Sequence, residues 1–197
     1  MGVVQTIRPV IVVSGLPRSG TSLMMQMLAG AGVPLQQDGV RAPDVSNPRG
    51  YFEWDEIKQL PRNPGLMGEC EGKAVKIISS LLMSLPAGFD YRILFMERRV
   101  EDVLASQTQM IARLGTRAAS LPERQMVQAL AAHRSQVVQW LEKSGYRFEK
   151  VEFEKLFSET LITTARIARF LGFDERATAA MAGVIEPQLW HNGSTLP

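Results

Sequence analysis

The sequence has few residues of the types that form disulfides or bind zinc. Its 197 residues contain one cysteine, Cys70, and two histidines, His133 and His191. A single cysteine excludes an internal disulfide, and three such residues are too few for a zinc site built from cysteine and histidine. We therefore predict no metal site, and we expect a reducing compartment and a cytoplasmic location.

Long apolar runs and net charge are also scarce. The uncharged apolar stretches are shorter than the roughly 18 residues that a membrane span requires, and residues 1–8 lack the apolar core of a secretory signal. The chain has 22 basic and 20 acidic residues, so its net charge of +2 predicts no general attraction to nucleic acid. With 45% hydrophobic residues, we expect a single domain over residues 1–197.

The most informative stretch joins a β-branched run, residues 10–13, to a run of helix formers, residues 23–28. Between them the chain reads Gly-Leu-Pro-Arg-Ser-Gly-Thr-Ser, from Gly15 to Ser22. A strand, a tight loop and a helix start direct several backbone N–H groups and the positive end of a helix dipole to one point. The pattern therefore predicts a cradle for a phosphate or a similar anion.

The loop lacks the lysine that binds nucleoside triphosphates. Gly15 and Gly20 keep the spacing of an NTP-binding P-loop, but Thr21 stands where that loop requires lysine. Arg18, inside the loop, instead supplies a planar guanidinium suited to phosphate or sulfate oxygens. The loop thus predicts an oxyanion other than the magnesium-bound phosphates of ATP.

A second basic motif follows a predicted strand at residues 91–96. Arg98 stands just after this strand, and Ser106 lies eight residues later on a predicted helix. That separation is about two helical turns, a distance that a long arginine side chain can span. The structural alternative is that Arg98 and Arg99 only solvate the end of the strand.

Together the two motifs resemble those of sulfotransferases that use 3′-phosphoadenosine 5′-phosphosulfate (PAPS). The likeness covers about residues 10–173 and is greatest to the bacterial and tyrosylprotein branches. It implies that Arg98 and Ser106 hold the 3′-phosphate, and that a sulfuryl group passes to an acceptor hydroxyl or amine by in-line displacement. The product would be 3′-phosphoadenosine 5′-phosphate (PAP), with no metal. The residues that match the 5′-phosphosulfate loop are Pro17, Arg18, Ser19, Gly20, Thr21 and Ser22.

The resemblance also implies catalytic roles for Arg18 and Lys76, although an ordinary strand-end lysine is the alternative for Lys76. The base is left to be assigned, and we favour Glu53. The cytosolic branch places a catalytic histidine two residues after the lysine, where this sequence has Ile78. Other branches use a glutamate, and residues 47–53 resemble a bacterial Asn-Pro-x-Gly-Tyr-x-Glu stretch that ends here at Glu53. Aromatic neighbours are expected to raise the pKa of Glu53 toward that of a general base, although a surface carboxylate is the alternative. The other acidic candidates are Asp38, Asp44, Asp55 and Glu56.

The pattern of elements predicts an α/β fold like that of P-loop NTPases, with three layers and a mostly parallel central sheet flanked by helices. Residues 33–72 are expected to be irregular and, with residues 107–125, to line the acceptor cleft. Residues 184–197 are expected to form a tail, and His133 to face solvent on a helix over residues 121–144. The remaining predicted elements are strands at 10–13, 74–78 and 148–153, and helices at 23–29, 80–85, 100–114 and 161–171.

Two other functions are compatible with these residues. A P-loop kinase or nucleotide hydrolase would bind ATP with magnesium, and a non-catalytic relative would bind the nucleotide without transfer. The acceptor stays open among small molecules, carbohydrates and peptides. An acidic acceptor would be compatible with four scattered arginines, Arg41, Arg49, Arg113 and Arg117.

Overall fold

The fold is built on a parallel β-sheet. The computed structural model describes residues 8–44, 47–113 and 122–186. The strands lie in the order β2-β3-β1-β4-β5, and all four pairings between them are parallel. The prediction of an α/β fold with a mostly parallel central sheet is confirmed. The strands are β1 (Val10–Gly15), β2 (Leu35–Gln36), β3 (Ala74–Lys76), β4 (Tyr91–Glu97) and β5 (Arg147–Glu152).

Helices connect the strands, as parallel pairing requires. The longest described helix, α4, occupies residues predicted to be helical, and α1 follows the glycine-rich loop directly. Two 3-10 helices, Asp55–Gln59 and Pro64–Cys70, lie between β2 and β3. The α-helices are α1 (Thr21–Gly30), α2 (Ser79–Leu82), α3 (Val100–Arg113), α4 (Glu123–Ser144), α5 (Lys155–Ser158), α6 (Thr160–Leu171) and α7 (Glu175–Gly183).

The side chains of β1 divide the core into two layers. Val10 and Val12 face a cluster that includes α4 and the two 3-10 helices. Ile11 and Val13 face a cluster formed with α1, α6 and α7. Because successive strand residues point to opposite faces, this run of valine and isoleucine is buried on both sides, as its composition predicts. The sheet is therefore the middle layer of three.

Several local expectations were wrong. Strand β3 ends at Lys76, two residues early, because the chain turns into α2 and leaves the Ile78 side chain 46% exposed. His133 does not face solvent freely: it is half-buried, and its Nε2 lies 2.9 Å from Oγ of the buried Ser79. Helix α7 was not predicted, since its alanine-rich sequence carries few large apolar residues at helical spacing.

The irregular segment and the tail are partly described. In the described part of residues 33–72, the regular elements are β2 and the two 3-10 helices. Residues 184–186 follow α7, and Val184 packs against the core beside α1. The rest of the tail, with His191, and residues 114–121, with Arg117, lie outside the described residues, as does the side chain of Arg113. No helix in the described ranges is long and apolar enough to cross a membrane.

Candidate functional site

The loop between β1 and α1 depends on glycine. Gly20 caps α1 with a φ angle of 97°, in the left-handed region that favours glycine. A Cβ atom at this position would overlap the ring of Phe153, which follows β5. The close approach of this ring to the backbone explains why the second loop glycine is needed.

The first turn of α1 offers backbone donors to an anion. The first helical hydrogen bond of α1 runs from Met24 N–H to Gly20 O, so the N–H groups of residues 21–23 have no partner within the helix. No side chain caps this end, and its first turn holds no acidic residue. The Ser19 side chain is 1% exposed, and its Oγ has no hydrogen-bond partner among the described residues. These features fit the predicted anion cradle.

The two basic motifs are in direct contact. Arg18 Nε donates to Ser106 Oγ at 2.9 Å, and Arg98 Nη1 donates to the Arg18 carbonyl oxygen at 3.2 Å. Arg98 is 6% exposed, its guanidinium stacks on Phe153 at 4.5 Å, and burial lowers its pKa. Arg18 has a φ angle of 70°, a strained conformation for a residue with a side chain. Residues 80 or more positions apart are thus joined at the ends of β1 and β4.

Lys76, at the end of β3, connects the loop to the irregular segment. Its Nζ donates to the Tyr51 carbonyl oxygen at 2.9 Å and to Ser22 Oγ at 3.2 Å. Glu53 Oε1 lies 3.5 Å from the same ammonium. The Lys76 side chain is 11% exposed; burial lowers its pKa, and the Glu53 carboxylate opposes that effect. Lys76 therefore holds a carboxylate beside the loop.

The segment that carries Glu53 is fastened by its own polar groups. Asp38 N–H donates to the Glu53 carbonyl oxygen at 3.1 Å, and the Asp38 carboxylate accepts from Val40 N–H at 2.9 Å and from Asp55 N–H. The hydroxyl of Tyr51 donates to the Asp44 carboxylate at 2.8 Å. The carboxylates of Asp38 and Asp44 thus hold the segment in shape.

Of the five acidic candidates for the base, Glu53 is the one that lines the cavity beside the loop. Asp38 and Asp44 make the contacts just described, Asp55 pairs with Lys58, and Glu56 is exposed. Glu53 also pairs with Arg41, whose Nη1 lies 3.3 Å from Oε1. The geometry therefore separates Glu53, the residue that the sequence favours as the base, from the other four candidates.

The surroundings predicted for Glu53 were wrong. Two of its aromatic neighbours pack elsewhere: Trp54 belongs to the cluster on one face of the sheet, and Phe52 packs against the cluster on the other. The third, Tyr51, lines the cavity and stacks with Arg41. The Glu53 side chain is 41% exposed and lies between two cations, Arg41 and Lys76. Phe52 and Trp54, which flank Glu53 in the sequence, thus anchor the backbone of this segment and do not surround the carboxylate.

One cavity collects most of the predicted site residues. We use "loop side" for the part formed by residues 15–18 and 20–22 with Arg98 and Phe153, and "segment side" for the part formed by Gln26, Arg41, Asn47, Tyr51, Glu53, Ile78 and Met110. Lys76 lies between the two sides. Ser19 and Ser106 are buried and do not line the cavity, although Arg18 contacts Ser106. The predicted residues that line it are Pro17, Arg18, Gly20, Thr21, Ser22, Glu53, Lys76 and Arg98.

Sequence reasoning missed Gln26 and left Arg41 among scattered arginines. Gln26 is a polar residue within the apolar run of α1, which is a signal that was available. Arg41 offered no local signal, because its contact with Met110 joins two parts of the chain far apart in sequence. Arg49, which was grouped with Arg41, instead donates to the Val184 carbonyl oxygen and pairs with Glu186.

The described residues hold no group of three or more histidine, cysteine, aspartate or glutamate side chains that could bind a metal ion. Cys70 is buried, and burial raises the pKa of its thiol to about 12. The thiol is therefore protonated and unreactive at neutral pH.

Solved structures share this fold. The sulfotransferase domain of the Synechococcus PCC 7002 olefin synthase matches with a TM-score of 0.56, over 98% of this chain and 86% of its own, at 15% identity. Sulfotransferase STF9 from Mycobacterium avium matches with a TM-score of 0.56, over 90% of this chain and 67% of its own, at 14% identity. Mouse sulfotransferase SULT7A1, solved in complex with PAP, matches with a TM-score of 0.52, over 89% of this chain and 63% of its own, at 15% identity.

These identities are low, so the likeness shows the fold alone. No protein-family model matches the chain, and no curated protein matches it by sequence. The chain therefore has the fold of sulfotransferases, and its activity must be argued from the site.

Proposed function

We propose that the protein is a PAPS-dependent sulfotransferase, in which the loop side binds the donor and the segment side binds the acceptor. The observation that carries this proposal is the meeting of three features in one cavity: a lysine-less anion loop, a second basic motif and a carboxylate. A nucleotide with anionic groups at its 5′ and 3′ ends requires two such cationic sites, and transfer to a hydroxyl requires a base.

The 5′ end of the donor fits the loop. We assign the phosphosulfate oxygens to the N–H groups of residues 21–23, with Ser22 and the positive charge of Lys76 beside them. Arg18, inside the loop, supplies a second positive charge. We assign Arg18 and Lys76 to the charge that develops as the sulfuryl group leaves the 5′-phosphate.

The 3′-phosphate fits the second motif. Ser106 Oγ accepts a hydrogen bond from Arg18, so its own O–H remains available to donate to a phosphate oxygen. Arg98 lies beside the same contact and brings a guanidinium whose charge is already held in a buried position. The hydrogen bond between Arg18 and Ser106 would make occupancy of the two ends of the nucleotide interdependent.

The proposed transfer step needs no reactant beyond PAPS, the acceptor and the side chains of this protein. The acceptor oxygen forms a bond to sulfur, the bond between sulfur and the bridging oxygen of PAPS breaks, and PAP leaves with the electron pair. Glu53 takes the proton of the acceptor hydroxyl. Ile78 replaces the histidine of the cytosolic branch, so the carboxylate held by Lys76 is the base that this chain offers at the cavity.

Two rival functions remain testable. A kinase or hydrolase would require the P-loop lysine, for which this chain has Thr21. A non-catalytic relative would bind PAP without transfer, and Glu53→Gln would change nothing measurable in it. The cytoplasmic location stays a prediction, as does the choice among small-molecule, carbohydrate and peptide acceptors.

Calorimetry separates the first rival from the proposal. We expect PAP to bind without added metal and ATP with magnesium to bind far more weakly. Tight binding of ATP with magnesium, with none of PAP, would establish the rival instead. Incubation with sulfur-labelled PAPS and a mixed panel of acceptors then tests transfer, with Glu53→Gln as the inactive control.

A further inference from the structure

The segment side of the cavity carries polar groups that donor binding does not use. Gln26 and Arg41 both line it, and neither has a role in holding a nucleotide under the function proposed above. Ser22, which contacts both Tyr51 and Lys76, lies four residues before Gln26, so the two side chains share one face of α1. Gln26 therefore lies one turn further along α1 than Ser22, and its side chain lines the segment side of the cavity.

Gln26 has an unfilled hydrogen-bonding position. Its side chain is 8% exposed, and its Oε1 has no hydrogen-bond partner among the described residues. A buried amide oxygen without a partner is unfavourable, so a ligand that donates an N–H or O–H to it recovers that loss. The other residues from Leu23 to Leu28 are leucine and methionine, which makes this amide the polar exception within that run of α1.

Arg41 presents a held guanidinium to the same space. Its guanidinium carbon lies 3.4 Å from the centre of the Tyr51 ring, Nη1 pairs with Glu53, and Nη2 lies 3.8 Å from Met110 Sδ. The Arg41 side chain is nevertheless 39% exposed. A guanidinium has five N–H donors in a planar fork, so one fixed in this way can bind a second carboxylate.

The charges around the cavity favour an anionic acceptor. Among the residues that the structure describes, four cationic ones line it, Arg18, Arg41, Lys76 and Arg98, against a single carboxylate, Glu53. The proposed donor uses Arg18, Lys76 and Arg98, which leaves Arg41 for the acceptor. Next to it, Ile78 and Met110 supply apolar surface, and Ile78 is 46% exposed.

We propose that the acceptor is a carboxylate-bearing hydroxyl compound with an apolar body, whose carboxylate binds Arg41 and whose further N–H or O–H donor binds Gln26. The proposal rests on the function proposed above for its assignment of the loop side to the donor. It makes Gln26 and Arg41 specificity-determining residues rather than catalytic ones.

Binding of paired ligands to the PAP-saturated protein tests this inference. The probes are aliphatic and phenolic hydroxy acids, each with and without a second N–H or O–H donor and each measured beside its primary amide by calorimetry. We expect the acids to bind at least about tenfold more tightly than their amides, since only the acids form a charge-assisted pair with Arg41. Equal affinities, or no binding by any acid, would overturn the proposal.

Variants assign the two contacts. Arg41→Gln should remove the difference between acid and amide, while Arg41→Lys should keep part of it. Gln26→Met should weaken the binding of the probes that carry the second N–H or O–H donor, acids and amides alike. It should leave the affinity of the other probes unchanged. An acid preference that survives Arg41→Gln, or a Gln26→Met effect that is independent of the second donor, would contradict the assignment.

Two controls keep the tests distinct. Arg62→Gln removes a positive charge at an exposed position outside the cavity. It should change neither the affinity for the acids nor the affinity for their amides. PAP binding is measured on every variant. If PAP fails to bind the unmodified protein, the donor assignment fails, and the paired ligands are then measured on the unloaded protein. If PAP binds but the acid preference is absent, only the acceptor inference fails.

Discussion

The loop side and the segment side of the cavity are built in different ways. The loop side stands at the ends of two central strands, β1 and β4, and its Arg98 is 6% exposed. The segment side comes largely from irregular chain, and its Arg41 and Glu53 side chains are 39% and 41% exposed. The loop side is thus rigid by virtue of the sheet, whereas the segment side is held by individual polar contacts.

This difference explains how one cavity can serve two ligands. Backbone N–H groups at a helix start recognise an oxyanion of any parent molecule, so a shared donor suits the loop side. Exposed side chains on irregular chain can be replaced by other residue types without disturbing the sheet. The segment side is therefore suited to recognising a specific acceptor. The two sides meet at Lys76, which contacts Ser22 on one side and Glu53 on the other.

Arg18→Ala should give the largest effect, because it removes a cation from the loop side and its contact with Ser106. We expect kcat to fall by about 10³-fold, at the upper end for loss of one transition-state donor. Arg18→Lys, which keeps the charge, should recover part of the rate. Transfer by Arg18→Ala within tenfold of the unmodified protein would show that the loop side does not stabilise the leaving group.

Glu53→Gln removes the proposed base from the segment side and leaves the residues of the loop side unchanged. We expect kcat to fall by about 10²–10³-fold, as for loss of a general base, with PAP affinity unchanged. Glu56→Gln, at an exposed neighbouring position, is the matched control. A kcat for Glu53→Gln equal to that of the control would reject Glu53 as the base.

Arg98→Ala separates binding from transfer on the loop side. Loss of a charge-assisted contact to the 3′-phosphate should weaken PAP binding by about 2–3 kcal/mol. Calorimetry measures this loss, and Arg99→Ala, next in sequence but exposed, is the control. Thermal unfolding of both variants reports any damage from the lost stacking on Phe153. Unchanged PAP affinity in a folded Arg98→Ala protein would remove the assignment of the 3′-phosphate site.

Lys76→Arg should give the smallest change, one of pH dependence. Lys76 acts as a cation, so activity should fall as pH rises through its pKa, which burial places below the usual value for lysine. Arginine stays charged to higher pH, so the alkaline limb of the kcat/KM profile should move upward. An alkaline limb at the same pH in both proteins would show that another group sets it.

Local patterns predicted the loop side well. A β-branched run, two glycines and a run of helix formers specify β1, the loop and α1 through interactions among near neighbours, and the structure has these elements in place. The prediction for Arg98 was of the same kind, since it follows β4 directly. Where such neighbours were uninformative, as in the alanine-rich α7, the prediction failed.

Contacts between distant residues account for what was missed. The half-buried state of His133 depends on Ser79, 54 residues earlier, and the exposure of Glu53 depends on where Trp54 and Phe52 find apolar partners. Neither partner is visible in the neighbouring sequence. The sequence favoured Glu53 among the acidic candidates, but the contacts that bring it to the cavity, with Lys76 and Arg41, also join residues that are distant in the chain.

The sequence by itself determined the strand, the anion loop and the helix that follows, because backbone conformation and helix dipoles depend on residues close together in the chain. The tertiary structure alone decided that Arg18 contacts Ser106, that Lys76 brings Glu53 to the loop, and that Gln26 and Arg41 face the same cavity. These pairings are set by the parallel sheet, which places the ends of β1, β3 and β4 side by side although long connections separate them in the chain.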